Sequence, residues 1–180
     1  MVINNISNII QLNNCNLVCE IGPGTGRYLE KTINIYNPSS YHIYEIANDW
    51  AFYIKHQYSP IVKECHTNGH SLDDTDSNTC DLVLAHGVFV YLSFLNSFEY
   101  FKEMIRICKL GGYVVFDYYP EKEFNSDKID EWLKTNERYP IILPTQTIKN
   151  YFMKYNCDFI NNFSNKHGHG YSEYHIYKKR

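Results

Sequence analysis

The 180-residue sequence predicts an α/β fold in which a mostly parallel sheet lies between two layers of helices. Three observations predict this fold. Apolar, strand-like runs alternate with amphipathic, helix-like segments over short connections. The first run, 17–21, ends in a glycine-rich turn that leads directly into a helical pattern. The last two strand-like runs are joined by a segment too short for a crossover helix, so we expect them to pair antiparallel.

The first half of the chain contains two strand–helix repeats and a third strand. A helix is predicted after the turn at 22–26, and it ends where Asn-Pro-Ser-Ser at 37–40 breaks the pattern. Its apolar positions are Leu29, Ile33 and Tyr36. Strands are predicted over 41–45 and 61–65. The face of the helix between them is marked by Ile46, Trp50, Tyr53 and Gln57.

The second half begins with a polar loop, 73–78, and a continuously apolar strand, 81–85. An amphipathic helix follows, because apolar residues recur at intervals of four and three. These residues are Phe94, Phe98, Phe101, Ile105 and Cys108. We expect Leu110-Gly111-Gly112 to end this helix, with glycine as its cap, before a fifth strand over 113–117.

The end of the chain predicts a helix and two further strands. The helix is marked by Ile148, Tyr151, Phe152 and Tyr155. Strands are predicted over 158–163 and 172–177, joined by a His- and Gly-rich loop of about eight residues. For the parallel strands, right-handed crossovers place the helices on both faces of the sheet.

Composition narrows the class of protein. A length of 180 residues predicts a single domain over 1–180, and a net charge of −3 with 44% apolar residues does not favour nucleic-acid binding. The six cysteines form no C-x-x-C pair, which favours a reducing, cytoplasmic location. The most apolar stretch, 82–95, is interrupted by His86, Gly87 and Ser93, so we expect no membrane span.

The glycine turn Gly22-x-Gly24-x-Gly26 indicates a nucleotide or nucleoside site. Glycine lets a backbone turn tightly and approach a ligand, and the following helix N-terminus presents free N–H groups. Dinucleotide-binding turns have the spacing G-x-G-x-x-G, which differs from this one. Glu20 is poorly suited to face a diphosphate, but it suits a ligand with a cationic amino-acid end.

The segment 20–26, Glu-Ile-Gly-Pro-Gly-Thr-Gly, resembles the first motif of the class I S-adenosylmethionine-dependent methyltransferases. The resemblance covers roughly residues 15–180 and implies S-adenosylmethionine as the cofactor, with S-adenosylhomocysteine as its product. It also implies a seven-stranded sheet in a three-layer α/β/α fold. The implied strand order is 3-2-1-4-5-7-6, with the last strand antiparallel.

The resemblance implies a set of cofactor-binding residues. They are Glu20, Ile21, Gly22, Pro23, Gly24, Gly26, Glu45, Ile46, Asn68, Gly69 and His86. Glu45 would accept the ribose hydroxyls, Ile46 would pack on the adenine, and Glu20 would act through the amides of the turn and the ammonium group. Asn68 occupies a position where the family usually has aspartate, and its carbonyl would accept the adenine amine. Leu110 replaces a common proline, and little chain precedes the first strand, where many relatives carry helices that close over the substrate.

Two residues are candidates for catalysis. His86 follows the fourth strand, where an imidazole could take a proton from an acceptor hydroxyl, and Tyr91 lies a few residues further along. A packed ring is the alternative for His86. The candidate acceptor-binding residues are Asp117, Tyr118, Tyr119 and His169. The two histidines of the 165–171 segment have no third ligand at a fitting spacing, so no metal is predicted.

These features predict an enzyme that transfers a methyl group to a small-molecule or sugar acceptor, at oxygen rather than nitrogen. We expect no nucleic-acid or membrane partner. A cofactor-binding partner subunit without catalytic activity is the alternative. A nicotinamide-dependent oxidoreductase is disfavoured, because the glycine spacing does not fit and no catalytic domain accompanies the turn.

Overall fold

The computed structural model describes residues 2–137 and 139–180, which form one mixed sheet flanked by helices. The strands are β1 Leu17–Ile21, β2 Ser40–Tyr44, β3 Val62–Glu64, β4 Cys80–Ala85, β5 Cys108–Pro120, β6 Ile142–Leu143, β7 Cys157–His167 and β8 Gly170–Lys179. The helices are α1 Val2–Ile9, α2 Arg27–Tyr36, α3 Asn48–Gln57, α4 Phe94–Ile107, α5 Ser126–Leu133 and α6 Thr145–Lys154.

The sheet order is β3-β2-β1-β4-β5-β8-β7, and the two-residue β6 pairs separately with the end of β5. The first five strands are parallel to one another, whereas β8 runs antiparallel to both β5 and β7. Apart from the short β6, this is the predicted strand order, and the fold class is confirmed. The carboxyl ends of β1, β2 and β4 therefore lie side by side at one edge of the sheet.

Each face of the sheet carries its own hydrophobic core. Successive strand residues point to opposite faces, so Cys19 packs with α4 and α6, whereas Val18 packs with α1, α2 and α3. All six residues of β4 are buried, as expected for a central strand covered on both sides. The three-layer arrangement follows from this division.

Two helices differ from their predicted patterns. In α3 the buried residues are Ala51 and Ile54, while Trp50 and Tyr53 are about half exposed. The helix therefore presents its aromatic residues away from the core. The helix α4 ends at Ile107 because the N–H groups of 78 and 79 donate to its last carbonyls. The pair Gly111-Gly112 lies within β5 and does not cap the helix.

Three elements were not predicted. The helix α1 has eight residues, and its Ile3 and Ile6 are almost completely buried against the α2 side of the sheet. No helix was predicted before β1, and a helix this short is marginal without tertiary packing. The helix α5 and the strand β6 lie between β5 and α6, and both are also short.

The terminal hairpin is longer than the sequence predicted. The expected loop of about eight residues is a connection at 168–169 between strands that pair as far as His167 and Gly170. Gly168 has φ +54°, a conformation that favours glycine. Because β8 pairs with β5 only up to Glu173, the tip of the hairpin projects beyond the ladder that it makes with β5.

Candidate cofactor and active site

The glycine turn after β1 needs glycine at each of its three positions. Gly22, Gly24 and Gly26 have φ values of 62°, 57° and 81°, which L side chains rarely adopt. A Cβ at Gly22 would lie 2.8 Å from Cγ2 of Val88. The Gly22 N–H donates to the Tyr44 carbonyl at 2.9 Å, which fixes the turn against the end of β2. The backbone is therefore exposed to close approach by a ligand.

Glu45 connects this turn to the start of α3. One carboxylate oxygen accepts the Gly24 N–H and the other accepts the Ala47 N–H, both at 2.9 Å. The residue follows β2 directly and is only 7% exposed. Each carboxylate oxygen has a second lone pair, so Glu45 retains acceptor capacity beyond these two bonds.

Two adjoining cavities lie at the carboxyl ends of these strands. The larger has a volume of about 390 Å³ and is mostly apolar, and its neighbour has about 340 Å³. Both are lined by Glu45, Ile46 and Gly69. The larger cavity is also lined by Ile21, Gly22, Gly24, Tyr44, Ala47, Trp50, Gly87, Val88, Tyr91, Leu92 and Tyr100. Volumes of this size suit small-molecule ligands.

Seven of the predicted cofactor-binding residues line these cavities, and four do not. The seven are Ile21, Gly22, Gly24, Glu45, Ile46, Asn68 and Gly69. The other four are Glu20, Pro23, Gly26 and His86. Pro23 and Gly26 shape the turn, because the Pro23 carbonyl accepts the Gly26 N–H at 3.0 Å. Ile46 is 75% exposed and borders both cavities, which is where a packing surface for a planar ligand would lie.

Glu20 lies below the turn and is fully buried. One carboxylate oxygen accepts the Tyr41 hydroxyl at 2.6 Å, and the other has no hydrogen-bond partner among the described residues. Burial raises the pKa of Glu20 to about 7, although the Tyr41 bond opposes this rise. The turn amides bond elsewhere, to Tyr44, Pro23 and Glu45. The expectation that Glu20 acts through these amides is therefore corrected.

Asn68 occupies its side chain within its own loop. Its Oδ1 accepts the N–H groups of His70 and Ser71, at 3.1 and 2.8 Å, and its Nδ2 donates to the Ser71 hydroxyl. Both lone pairs of the carbonyl are thus engaged. Asn68 lines the smaller cavity, but the free acceptor expected for an adenine amine is not present in this arrangement.

His86 packs as a buried ring away from the cavities. Its centroid lies 4.6 Å from that of Tyr28 and 5.6 Å from that of Tyr174. Both ring nitrogens are buried without a hydrogen-bond partner among the described residues. Burial lowers the pKa of His86 to about 3. This geometry corrects the expectation of a catalytic or cofactor-contacting imidazole at this position, because the ring neither reaches the cavity nor accepts protons readily.

Three of the four predicted acceptor-binding residues are buried in the sheet. Asp117 accepts the Gly87 N–H at 2.6 Å, and burial raises its pKa. Tyr118 packs in the core with its hydroxyl at His175 and Thr145. Tyr119 donates its hydroxyl to the His167 carbonyl at 2.8 Å. All three are 0% exposed and line neither cavity, so the expectation that they form a rim is corrected.

The hairpin tip places its two histidines differently. His169 is half exposed, with its ring 5.3 Å from that of Trp132 and its Nε2 3.7 Å from Glu137, and it does not line the cavity. His167 does not line the cavity either, but its Nε2 faces the hydroxyl of Tyr91 at 3.4 Å. Tyr91 lines the larger cavity and is half exposed.

Several residues at the site were missed by the sequence analysis. Gly87 and Val88 are the second and third residues after β4, and the rule that ligands bind beyond the carboxyl ends of parallel strands would have selected them. Trp50 was assigned to a packed helix face, but its indole lies 3.8 Å from the Cβ position of Gly24. His167 carries no local signal, since only the hairpin register brings it to Tyr91.

The described residues hold neither of two other kinds of site. Within residues 2–137 and 139–180, no group of three or more His, Cys, Asp or Glu side chains could hold a metal ion. Over the same residues, each helix is too short or too polar to cross a membrane.

A family model for a methyltransferase domain matches residues 19–116, just over half of the chain. Solved structures extend the likeness to nearly the whole length. A SAM-dependent methyltransferase from Methanosarcina mazei is 13% identical over 97% of this chain and 96% of the other, with a TM-score of 0.75. The N-methyltransferase NodS from Bradyrhizobium japonicum was solved with S-adenosylhomocysteine. It is 11% identical over 98% of this chain and 84% of the other, with a TM-score of 0.71.

A third similar structure is a complex between the Trm112 methyltransferase activator and a putative methyltransferase from Haloferax volcanii. It is 11% identical over 97% of this chain and 88% of the other, with a TM-score of 0.73. At such identities these likenesses show the fold alone. No curated protein sequence matches the chain.

Proposed function

Because this chain belongs to the methyltransferase-domain family, we propose that it acts as one domain that methylates a hydroxyl group of a small molecule or sugar. It is an enzyme, and its cofactor is S-adenosylmethionine. One observation supports the proposal most strongly. The Gly24 N–H donates a hydrogen bond to Glu45, which joins the glycine turn to this carboxylate at the larger cavity.

The residues at this junction fit the cofactor. The floor of the cavity is Gly22 and Gly24, where no side chain separates the backbone from a ligand. The remaining lone pairs of Glu45 suit ribose hydroxyls, and exposed Ile46 suits an adenine face. The unpartnered oxygen of Glu20 suits a cationic amino-acid end, from below the turn. This assignment of contacts extends the proposal to individual residues.

The chemistry requires alignment more than activation. When bound, the cofactor supplies a methyl group on an electrophilic sulfonium. The chain's own contribution is to hold an acceptor in line with that methyl group, where effective molarities reach about 10⁵ M or more. A protein base is needed only when the acceptor carries a proton to be lost, as a hydroxyl does.

The mouth of the cavity supports a small acceptor. Trp50 and Tyr91 line it, and each is about half exposed. Aromatic rings of this kind stack on planar molecules and on sugar faces. A net charge of −3 does not favour a polyanionic acceptor. Oxygen is proposed over nitrogen as the acceptor atom because the Tyr91 hydroxyl and Nε2 of His167 lie 3.4 Å apart beside the cavity.

A screen with S-adenosylmethionine labelled in its methyl group tests the proposal. The panel contains phenols, sugars, primary amines and a short RNA, and cofactor binding is measured separately by calorimetry. We expect label in a phenol or sugar, and none with a Gly24→Val variant that is still folded. Label in amines or RNA alone would refute the acceptor class. Binding without transfer to any acceptor would favour a chain that needs a partner, as the Haloferax volcanii protein has.

A further inference from the structure

A second imidazole, that of His167, lies at the carboxyl end of β4, where the ring of His86 was expected. His167 comes from the tip of the β7–β8 hairpin, and its Cε1 lies 3.0 Å from the Cβ position of Gly87, with Nδ1 at 3.7 Å. Gly87 follows β4 and lines the larger cavity. The ring of His167 therefore packs directly on the backbone that forms the cavity wall at the carboxyl end of β4.

The position of His167 is fixed from two sides. Its carbonyl accepts the hydroxyl of buried Tyr119 at 2.8 Å, which ties the hairpin tip to the end of β5. Its Nε2 faces the hydroxyl of Tyr91 at 3.4 Å, and the two rings lie 6.0 Å apart at an angle of 67°. Tyr91 itself packs against the ring of Tyr139, at 4.7 Å. The imidazole is thus held beside the cavity mouth by residues that do not belong to its own strand.

A buried carboxylate is bonded to the same backbone. Asp117 uses one carboxylate oxygen to accept the Gly87 N–H, and its other oxygen is buried without a hydrogen-bond partner among the described residues. Burial raises the pKa of Asp117, whereas the hydrogen bond from the Gly87 N–H and the nearby His167 lower it. A buried carboxylate next to an imidazole stabilises the imidazolium that proton transfer would create.

Resting on the proposed function, we propose that His167 is the general base of methyl transfer and that Tyr91 positions its ring. A lone pair of the acceptor oxygen forms the new O–CH₃ bond, and the electron pair of the broken S–CH₃ bond stays on sulfur. The acceptor proton moves to an imidazole nitrogen of His167 and then to water. No other reactant is required.

The other two histidines considered for this role lie elsewhere. His86 is enclosed between Tyr28 and Tyr174, and both of its ring nitrogens are buried. His169 lies only two residues from His167, but it packs against Trp132 and faces Glu137. His169 is therefore a matched control on the same hairpin.

An NMR experiment tests the placement without an acceptor. S-adenosylmethionine with a ¹³C-labelled methyl group is added to the full chain, and nuclear Overhauser contacts to histidine ring protons are recorded. We expect a contact to His167 that disappears in His167→Asn and persists in His169→Asn. A bound cofactor with no contact to His167 would overturn this inference and leave the proposed function standing. If S-adenosylmethionine does not bind, the proposed function fails as well.

A kinetic experiment tests the chemistry, using the best acceptor from the screen. We expect His167→Ala to lose about 10²- to 10⁴-fold in transfer rate, with S-adenosylmethionine affinity changed by less than about threefold. Added imidazole should restore part of the rate in His167→Ala, which a merely structural role would not allow. His169→Ala should keep its rate. A His167→Ala enzyme with normal turnover would overturn the inference. If no acceptor in the screen is methylated, the NMR experiment decides it.

Discussion

Replacing His86 by leucine should make the protein less sensitive to acid. The imidazole is buried between Tyr28 and Tyr174, and neither ring nitrogen has a hydrogen-bond partner among the described residues. Burial lowers its pKa from 6.5 to about 3. A group whose pKa is lowered by folding contributes stability that is complete above the unfolded-state pKa and is lost as the pH falls toward the folded-state pKa.

The magnitude follows from these two pKa values. At pH 8 neither state holds a proton on His86, whereas at pH 5 the unfolded chain is protonated and the folded chain is not. The linkage relation then gives a loss of about 2 kcal/mol between pH 8 and pH 5 from this one group. Leucine has a similar volume and cannot be protonated, so His86→Leu removes this loss.

Urea unfolding at pH 8, 6.5 and 5 measures the effect. We expect the difference in unfolding free energy between His86→Leu and the unchanged protein to shift by about 2 kcal/mol in favour of the variant across this range. Phe89→Leu is the control, because it alters a buried ring that does not titrate and its effect should be the same at each pH. Parallel stability curves for His86→Leu and the unchanged protein would refute the burial of a neutral imidazole.

Three further predictions concern the turn and its carboxylates. Gly22→Ala should weaken S-adenosylhomocysteine binding at least tenfold by calorimetry, because its Cβ would meet Val88; Gly111→Ala, also at positive φ but in open space, should bind normally. Glu45→Ala should cost about 1.5–3 kcal/mol of binding free energy, and unchanged affinity would remove Glu45 from the site. Glu20 has its pKa raised to about 7, so its contribution to stability is complete below about pH 4.5 and is lost as the pH rises through 7. Glu20→Gln should therefore gain about 3 kcal/mol relative to the unchanged protein between pH 4.5 and 8, and a constant difference in urea unfolding would contradict this.

The sheet was predictable because its signals are local and repeated. Buried parallel strands such as β4 are continuous apolar runs, and a short connection between the last two strands leaves no room for a crossover. The end of α4 was missed because it depends on N–H groups from the loop at 78 and 79, which are distant in sequence. The helix α1 was missed because packing of Ile3 and Ile6, and not length, stabilises it.

The residues that line the cavity at the glycine turn were more predictable than the surroundings of the candidate acceptor-binding residues. The glycine turn and Glu45 each follow a strand directly, so the strand ends place them. For the other predicted residues, the direction of the side chain determines whether it reaches the cavity. His86, Tyr118 and Tyr119 also follow or end strands, but they point into packed layers. His167 reaches the site through the register of β7 with β8, which a single sequence does not encode in any local motif.

Calorimetric titration of S-adenosylhomocysteine and of NAD into the full chain tests the central claim most directly. The glycine turn joined to Glu45 at an apolar cavity predicts binding of S-adenosylhomocysteine in the micromolar range, about 8 kcal/mol at 1 μM, and no heat with NAD. Loss of the S-adenosylhomocysteine signal in a folded Gly24→Val variant would locate that binding at the turn. Binding of NAD without binding of S-adenosylhomocysteine would contradict the account.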